Sequence, residues 1–540
     1  MSGRRTALAA AGALGGVVAV VAYNGLLSTQ APVAGRAWTL ILVAAVGGLA
    51  LSALGWILVL RGDQIRGAPA EGAGSRALPP VVVGVAAGFL FWARLGVVGE
   101  TTLASVARAW EAALLVAAFA LGAATDHWVR RAGPRLGLAG LVLVSPVLVA
   151  GVAVSPGAGQ VFPLKNLTAF PGWLAGPFAG LGPTLGNDQF HSMVLVLFVA
   201  YLAVLVGPGS VGLRAGVVAV VVLHAVYMLA PPLLSGDLFS YLAYARGGAL
   251  LGANPYAGGP PVSFLTKGLD VPSTYGPVFQ LASYAVAPLG IPGGYWALKA
   301  AGTVGSLGAL ALLWRCAVVR GVEPMDAVLF AGLNPVLLVY TVGGGHNELV
   351  MLPLLVGGIL LTLQGREGLG GAAAVAAAGV KLSGAIVAPF QFLGAARSWR
   401  VVAGASLAVG LIGAVSVAAF GSSALGWLGA LEIVRDRGSG YSVLAEAGAL
   451  VGLSAASPAL AAAGTVLLGI TVVVMLIRVV RGGDWVAAAG WSMLASLVAS
   501  PYLMPWYVAA LLPLAAVGRS DRLRWAVLAL SALLLWRLPS

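Results

Sequence analysis

AGVVAVVVLHAVYMLAPPLL, residues 215–234, carries one histidine and no Asp, Glu, Lys or Arg over its whole length. A helix needs roughly 20 apolar residues to cross the hydrocarbon of a bilayer, so this run reads as a membrane span. Thr39 to Leu60 is another of the same kind, and the 540-residue chain is 60% hydrophobic and 9% charged. Hydrocarbon does not tolerate unpaired backbone groups, so spans must be helices or a closed barrel. The apolar runs are continuous rather than alternating, which excludes the barrel. The expected fold is an all-α polytopic membrane protein.

Apolar segments recur from 8–28 through 524–537. Once short or re-entrant pieces are allowed for, they give roughly 13 to 15 transmembrane helices. Arg4 and Arg5 precede an apolar run that continues to Leu27, too long for a signal peptide, and it reads as an uncleaved first span. The net charge of +13 lies mostly in short arginine-bearing segments between spans. That is the positive-inside bias, and it argues against nucleic acid as a partner. Cys316 is the only cysteine, so there is no intrachain disulfide and no cysteine-rich metal site.

The span at 215–234 ends at Pro231–Leu234 and leads into LLSGDLFSYLAYARGGALLGANPYAGGPPVSFLTKGLDVPSTY, residues 233–275. This loop gathers two carboxylates, two basic groups and six phenylalanine or tyrosine rings. With Arg61, Arg66, Arg76, Arg130, Arg131, Arg135 and Arg214 in the cytoplasm, the loop faces out. Gly343 to Glu348, Lys381, Ser422 to Tyr441 and Ser500 to Tyr507 then share its face. This requires 276–290 to lie in the outer interface, and 370–396 and 486–516 each to turn back, near Lys381 and Pro501.

Asp237 reads as the N-cap of a short helix closed by Gly247–Gly248. At helical spacing Asp237, Tyr241 and Tyr244 line one face. The pattern alone fits two readings equally: a cap with an interfacial aromatic belt, or a general base where the chain leaves the membrane. Arg246, Lys267 and Lys381 are candidate partners for an anionic leaving group. Lys381 is one of four lysines and stands alone among apolar residues. Snorkelling is its alternative role, but intramembrane charge is costly and marks function. His346, Asn347 and Glu348 follow three glycines; one His and one acid under-coordinate a metal, so sugar or phosphate contact is expected instead. Tyr275 beside Gly276–Pro277, and Trp506 and Tyr507 after Pro505, suit stacking on a sugar face or gripping isoprenes.

SGDLFSYLAYARGG, GANPY, STYGPV, LNPVLLVYTVGGGHNELVMLPLL, GVKLSG and PYLMPWYVAALLPL, in this order, resemble the actinobacterial polyprenyl-phosphomannose-dependent α-1,6-mannosyltransferases. These are membrane-embedded GT-C glycosyltransferases, and the resemblance covers about residues 190 to 520. It implies a catalytic module over 191–540 and an N-terminal transmembrane block of unknown role over 1–190. It also implies inverting transfer of mannose from polyprenyl-phosphate-mannose to the 6-hydroxyl of a mannosylated glycolipid, outside the plasma membrane. Asp237 matches the acid taken as the base. Arg246, Lys381, His346 and Lys267 become expected donor or phosphate contacts. Tyr241, Tyr244, Asn254, Tyr256, Tyr275, Asn347, Glu348, Trp506 and Tyr507 become expected acceptor or sugar contacts. No cofactor is expected, though a divalent metal remains compatible with the residues. The loop departs from the class in having only Asp237 and the distant Asp270. The rival reading is a transporter or flippase of a lipid-linked sugar, which predicts midplane binding groups and internal repeats; no repeat is visible.

Overall fold

The computed structural model describes residues 126–154, 172–183, 185–206, 211–259, 271–436, 438–450, 453–454 and 457–537. The first spans and most of the expected N-terminal block, and within the loop Lys267 and Asp270, lie outside the described residues. The chain divides into two compact units, residues 1–141 with 195–211, and residues 142–194 with 212–540. In the first, the described helical stretches approach closely at Gly137, where a Cβ would lie 2.4 Å from the Ala200 carbonyl oxygen. Everything below concerns the second unit.

Every regular element among the described residues is helical. After α1 (Asp126–Val154) and α2 (Asn187–Leu205), the second unit is built from α3 (Leu213–Met228), α4 (Asp237–Leu251), α5 (Pro277–Ser283), α6 (Gly290–Arg320), α7 (Pro324–Gly332), α8 (Glu348–Leu363), α9 (Glu367–Val380) and α10 (Ala388–Gly394). It continues through α11 (Ser398–Phe420), α12 (Gly426–Asp436), α13 (Val443–Leu450), α14 (Pro458–Val480), α15 (Trp485–Val498), α16 (Leu511–Val517) and α17 (Asp521–Trp536). Four described helices are long and apolar enough to cross a bilayer, or five if the pair α7 and Val336–Val342, bent by 51°, counts as one. The expected count of 13 to 15 helices draws on residues 1–125, outside the described residues.

The breaks between helices matter more here than the helices. α3 stops at Met228 because Pro231 and Pro232 have no N–H to continue the ladder. The chain then turns through Leu234, held at φ 60°, a conformation that L side chains rarely adopt. Ser235 Oγ accepts a hydrogen bond from the Asp237 amide at 3.2 Å, and α4 begins. Asp237 is therefore the first helical residue, with Gly236 as the cap, rather than the cap itself. α4 also runs past Gly247–Gly248 to Gly252, which takes φ +66°. Ala249, Leu250 and Leu251 sustain the helix, and Gly248 serves close packing instead: a Cβ there would lie 2.0 Å from the Tyr284 hydroxyl.

Within 276–290, read from sequence as a segment in the outer interface, the chain forms α5 and a 3-10 stretch, Tyr284–Leu289, that runs into α6. α9 ends at Lys381, which is extended at φ −149°, and a 3-10 stretch Leu382–Val387 leads to α10. α15 ends at Val498; after Pro501 the chain resumes as a 3-10 stretch, Pro505–Ala510, and then α16. Both interruptions fall where the sequence places them.

Candidate active site

The glycines of Gly343–Gly344–Gly345 set the site's geometry. The preceding Val336–Val342 is a π-helix, and the His346 amide reaches back five residues to the Thr341 carbonyl at 3.0 Å. Such widened turns frequently accompany functional sites. A Cβ on Gly343 would lie 2.7 Å from Leu233 Cδ1, and one on Gly345 2.5 Å from Leu238 Cδ1. Gly345 also takes φ +68°. Only residues without a side chain let this turn lie on the segment that launches α4. His346, Asn347 and the start of α8 are thereby pressed against Asp237.

His346 Nδ1 lies 3.2 Å from Asp237 Oδ2. The imidazole stacks on Trp506, with centroids 3.8 Å apart and an angle of 15° between the planes. Lys381 Nζ forms an ion pair with Glu348 Oε1 and sits 4.1 Å from the centre of the Tyr507 ring. The Asn347 backbone N–H donates to the Tyr241 hydroxyl at 3.2 Å, and Tyr241 packs edge-on against Tyr275 and Phe279 at 4.7 and 4.8 Å. Tyr275 is brought in by its neighbour: a Cβ on Gly276 would lie 2.1 Å from the Gly379 oxygen, and the Gly276 amide donates to Val380 O. The turn at 275–277 is thus docked on the break at Lys381.

The cluster has a sealed floor and an open rim. The side chains of His346 and Glu348 are 0% and 1% exposed, whereas Asp237 and Lys381 are 33% and 22% exposed. Burial pushes the Asp237 carboxyl up, but the adjacent His346 ring, the Lys381 ammonium and Ser235 together bring it below the ordinary carboxylate value. Asp237 is a standing anion in this setting. On the floor, both ring nitrogens of His346, both side-chain amide atoms of Asn347 and Glu348 Oε2 are buried with no hydrogen-bond partner among the described residues, His346 Nδ1 lying near Asp237 without hydrogen-bond alignment. A buried polar atom left unpaired costs about 1–3 kcal/mol, and native structures hold few of them. Five such atoms on three consecutive residues mark a surface suited to a polar ligand.

The structure thus brings Asp237, Tyr241, Tyr275, His346, Asn347, Glu348, Lys381, Trp506 and Tyr507 together. It does not bring Arg246, which lies nine residues, about 13 Å of helix rise, beyond Asp237 and donates to the Ala287 carbonyl. Tyr244 gives its hydroxyl to Val271 O at 2.7 Å. Asn254 spends both amide atoms on backbone, donating to Phe420 O and accepting from the Tyr256 amide. Tyr256 packs on Phe420 and Trp427 and donates to Tyr275 O at 2.9 Å. These last three residues brace the aromatic wall from behind. The reading of the sequence missed Ser235, whose place two residues before an acid in a Ser-Gly-Asp turn was the available signal.

A family model described as "Alpha-(1->6)-mannopyranosyltransferase, N-terminal domain" matches residues 134–397, and one described as "MptB C-terminal domain" matches residues 439–540. Alpha-(1->6)-mannopyranosyltransferase A of Mycobacterium tuberculosis is 31% identical over 75% of this chain and 83% of its own length. This chain belongs to the alpha-(1->6)-mannopyranosyltransferase family. A probable alpha-(1->6)-mannopyranosyltransferase of Mycolicibacterium smegmatis is 26% identical over 56% of the chain and 65% of its own length. Alpha-(1->6)-mannopyranosyltransferase B of Corynebacterium glutamicum is 28% identical over 54% and 56%. No solved structure matches the chain. The two family-matched segments hold all nine clustered residues, with Trp506 and Tyr507 alone in the C-terminal one.

Proposed function

We propose that this protein is a mannosyltransferase that moves mannose from polyprenyl-phosphate-mannose to the 6-hydroxyl of a mannosylated glycolipid, forming an α-1,6 linkage in lipomannan-type synthesis. Transfer takes place at the extracytoplasmic face of the plasma membrane, from which donor and acceptor both reach the rim of the cluster. The observation that carries the reading is one anionic carboxylate, Asp237, open on the rim beside one cation, Lys381, above a floor of unpaired polar atoms. A glycosyl transfer to a hydroxyl needs a proton acceptor, charge compensation for the departing phosphate, and partners for sugar hydroxyls.

In the step, the acceptor oxygen attacks C1 of the β-linked donor while Asp237 takes its proton. The C1–O bond to phosphate breaks, the phosphate leaves with that electron pair, and configuration inverts to α. Lys381 exchanges Glu348 for the phosphate. His346, with its buried Nε2, holds donor or phosphate oxygens, Asn347 and Glu348 hold sugar hydroxyls, and Tyr275, Trp506 and Tyr507 flank the sugar. Donor binding also activates the base. His346 and Lys381 hold the Asp237 carboxyl low, and a phosphate that engages Lys381 offsets its charge and returns the carboxyl toward its ordinary basicity. Arg246, tied to the Ala287 carbonyl, becomes a phosphate partner only if the donor extends along α4, and Lys267 lies outside the described residues.

The test is an assay of the purified protein in lipid vesicles with labelled polyprenyl-phosphate-mannose and a short α-1,6-mannoside. Wild type should form an alkali-stable disaccharide linkage, and Asp237→Ala should not, at equal expression. A labelled lipid that crosses the bilayer without forming a glycosidic bond would establish a flippase instead.

A further inference from the structure

Lys299 lies about a third of the way along α6 and is fully buried. Its Nζ donates to the Ala230 carbonyl at 2.6 Å, and its stem passes Tyr295 and Trp296, whose ring centres lie 5.8 and 5.7 Å from the nitrogen. Ala230 stands at the start of the irregular stretch between α3 and α4. In a continuing helix its carbonyl would accept from residue 234, but the Pro231–Pro232 break removes that partner, and Leu234 sits at φ 60° instead. Lys299 supplies the missing donor from another helix. Protonated or neutral, its nitrogen carries an N–H to give.

α6 does more than this at the same level. One turn before Lys299, Tyr295 stacks on Phe239 of α4 at 5.6 Å, and a Cβ on Gly294 would lie 2.6 Å from Leu242 of α4. One turn after it, Gly302 and Gly305 let α6 lie against Leu349, where a Cβ on Gly305 would meet the Leu349 carbonyl at 2.4 Å. Leu349 follows Glu348. One helix therefore touches both walls of the candidate active site: the wall that bears Asp237 and the wall that bears His346, Asn347 and Glu348. Among the described residues, Lys299 is the single polar tie between that helix and the strained entry to Asp237.

We infer that Lys299 is a positioning residue: its bond to the Ala230 carbonyl fixes the Pro231–Gly236 entry, and so fixes the place of the Asp237 carboxylate against His346. It touches no reacting atom. The kinetic arm of this inference rests on the mannosyltransferase reading, and the structural arm does not.

The experiment compares wild type, Lys299→Met and Lys299→Gln, each full-length in nanodiscs. Methionine keeps the length and burial without an N–H; glutamine keeps a donor. Amide hydrogen exchange is followed by peptide over 229–240 and over α8, α11 and α14, and kcat and donor KM are measured separately. Lys299→Met should speed exchange in 229–240 only. It should lower kcat by about 10- to 100-fold, the size of a misplacement near 1 Å, with donor KM unchanged and with Lys299→Gln partly restoring both readouts. Unchanged exchange at 229–240 overturns the inference whatever the transfer assay shows. Local loosening with wild-type kcat also overturns it, reducing the residue to a stability role, as does loosening spread over the whole bundle. If wild type itself makes no glycosidic bond, the mannosyltransferase reading fails while the exchange data still decide the tie.

Discussion

Gly345→Ala attacks the geometry of the site without touching any residue assigned to chemistry. Two costs follow from the structure. The position takes φ +68°, where an L side chain costs roughly 1–2 kcal/mol. The new methyl would also lie 2.5 Å from Leu238 Cδ1, on a residue with 0% exposure. Carbon atoms prefer about 3.5–4.0 Å, so the turn and α4 must part by about 1 Å. Leu238 adjoins Asp237 and Gly345 adjoins His346, so this separation falls on the 3.2 Å contact between them. A misplacement of that size near reacting groups costs on the order of 100-fold in rate. Gly365→Ala is the matched control: it takes φ +76° with nothing within 4 Å of the added Cβ. Both variants should lose comparable stability from the backbone term in a thermal unfolding assay, but only Gly345→Ala should lose transfer, measured per folded molecule. Equal losses of activity in the two variants, or none in either, would refute the claim that the glycine turn sets the distance between Asp237 and its partner.

Other outcomes follow from the same contacts. The depressed Asp237 carboxyl stabilises the fold at pH above the ordinary carboxylate value near about 4, and that contribution is lost as pH falls through the lower, folded value. Asp237→Asn should therefore show a stability gap from wild type at neutral pH that closes in acid; a gap independent of pH removes His346 and Lys381 as the cause. Glu348→Ala, which strands Lys381 over Tyr507, should destabilise by about 3–5 kcal/mol, and adding Lys381→Met should recover part of it; strict additivity in that double-mutant cycle would show that the ion pair carries no coupling. Lys381→Ala alone should raise donor KM more than it lowers kcat, and unchanged donor dependence would take Lys381 out of the phosphate site. Trp506→Leu should lower kcat by releasing the His346 ring, with the unfolding midpoint as the control for simple loss of packing.

Hydropathy made the helices readable, because a span in hydrocarbon has no choice but to pair its own backbone. The interruptions at Lys381 and Pro501 were readable for a related reason: a lone cation and a proline each contradict the run around them. The pairings across the site were not. Glu348 and Lys381 are 33 positions apart, and Asp237 and His346 more than a hundred, so nothing local joins them. The end of α4 was misplaced because glycine signals both a helix stop and a close approach; Gly248 is the second kind, making room for Tyr284. Lys299 escaped notice because it sits inside an apolar run, and its hydrogen-bond partner is a backbone carbonyl 69 positions away, made available by the two prolines that follow it.

In a membrane bundle, irregular backbone survives only where protein covers it or a cavity wets it. Here five irregular pieces meet at one place: the Pro231–Gly236 entry, the turn before Pro277, the glycine turn after the π-helix, the extended Lys381, and the stretch before Pro505. Each delivers a side chain that no continuous helix could aim at the same point: Asp237, Tyr275, His346, Lys381 and Trp506. The carbonyls and amides that those breaks release are tied back by specific donors and acceptors, among them Lys299 on Ala230 and Val380 on Gly276. The cost of breaking the spans is thus confined to the residues that need the aim. It follows that restoring helix at any of these breaks, for example by replacing Pro231 and Pro232 with alanine, should harm transfer more than it harms folding, since it repairs the ladder while turning Asp237 away.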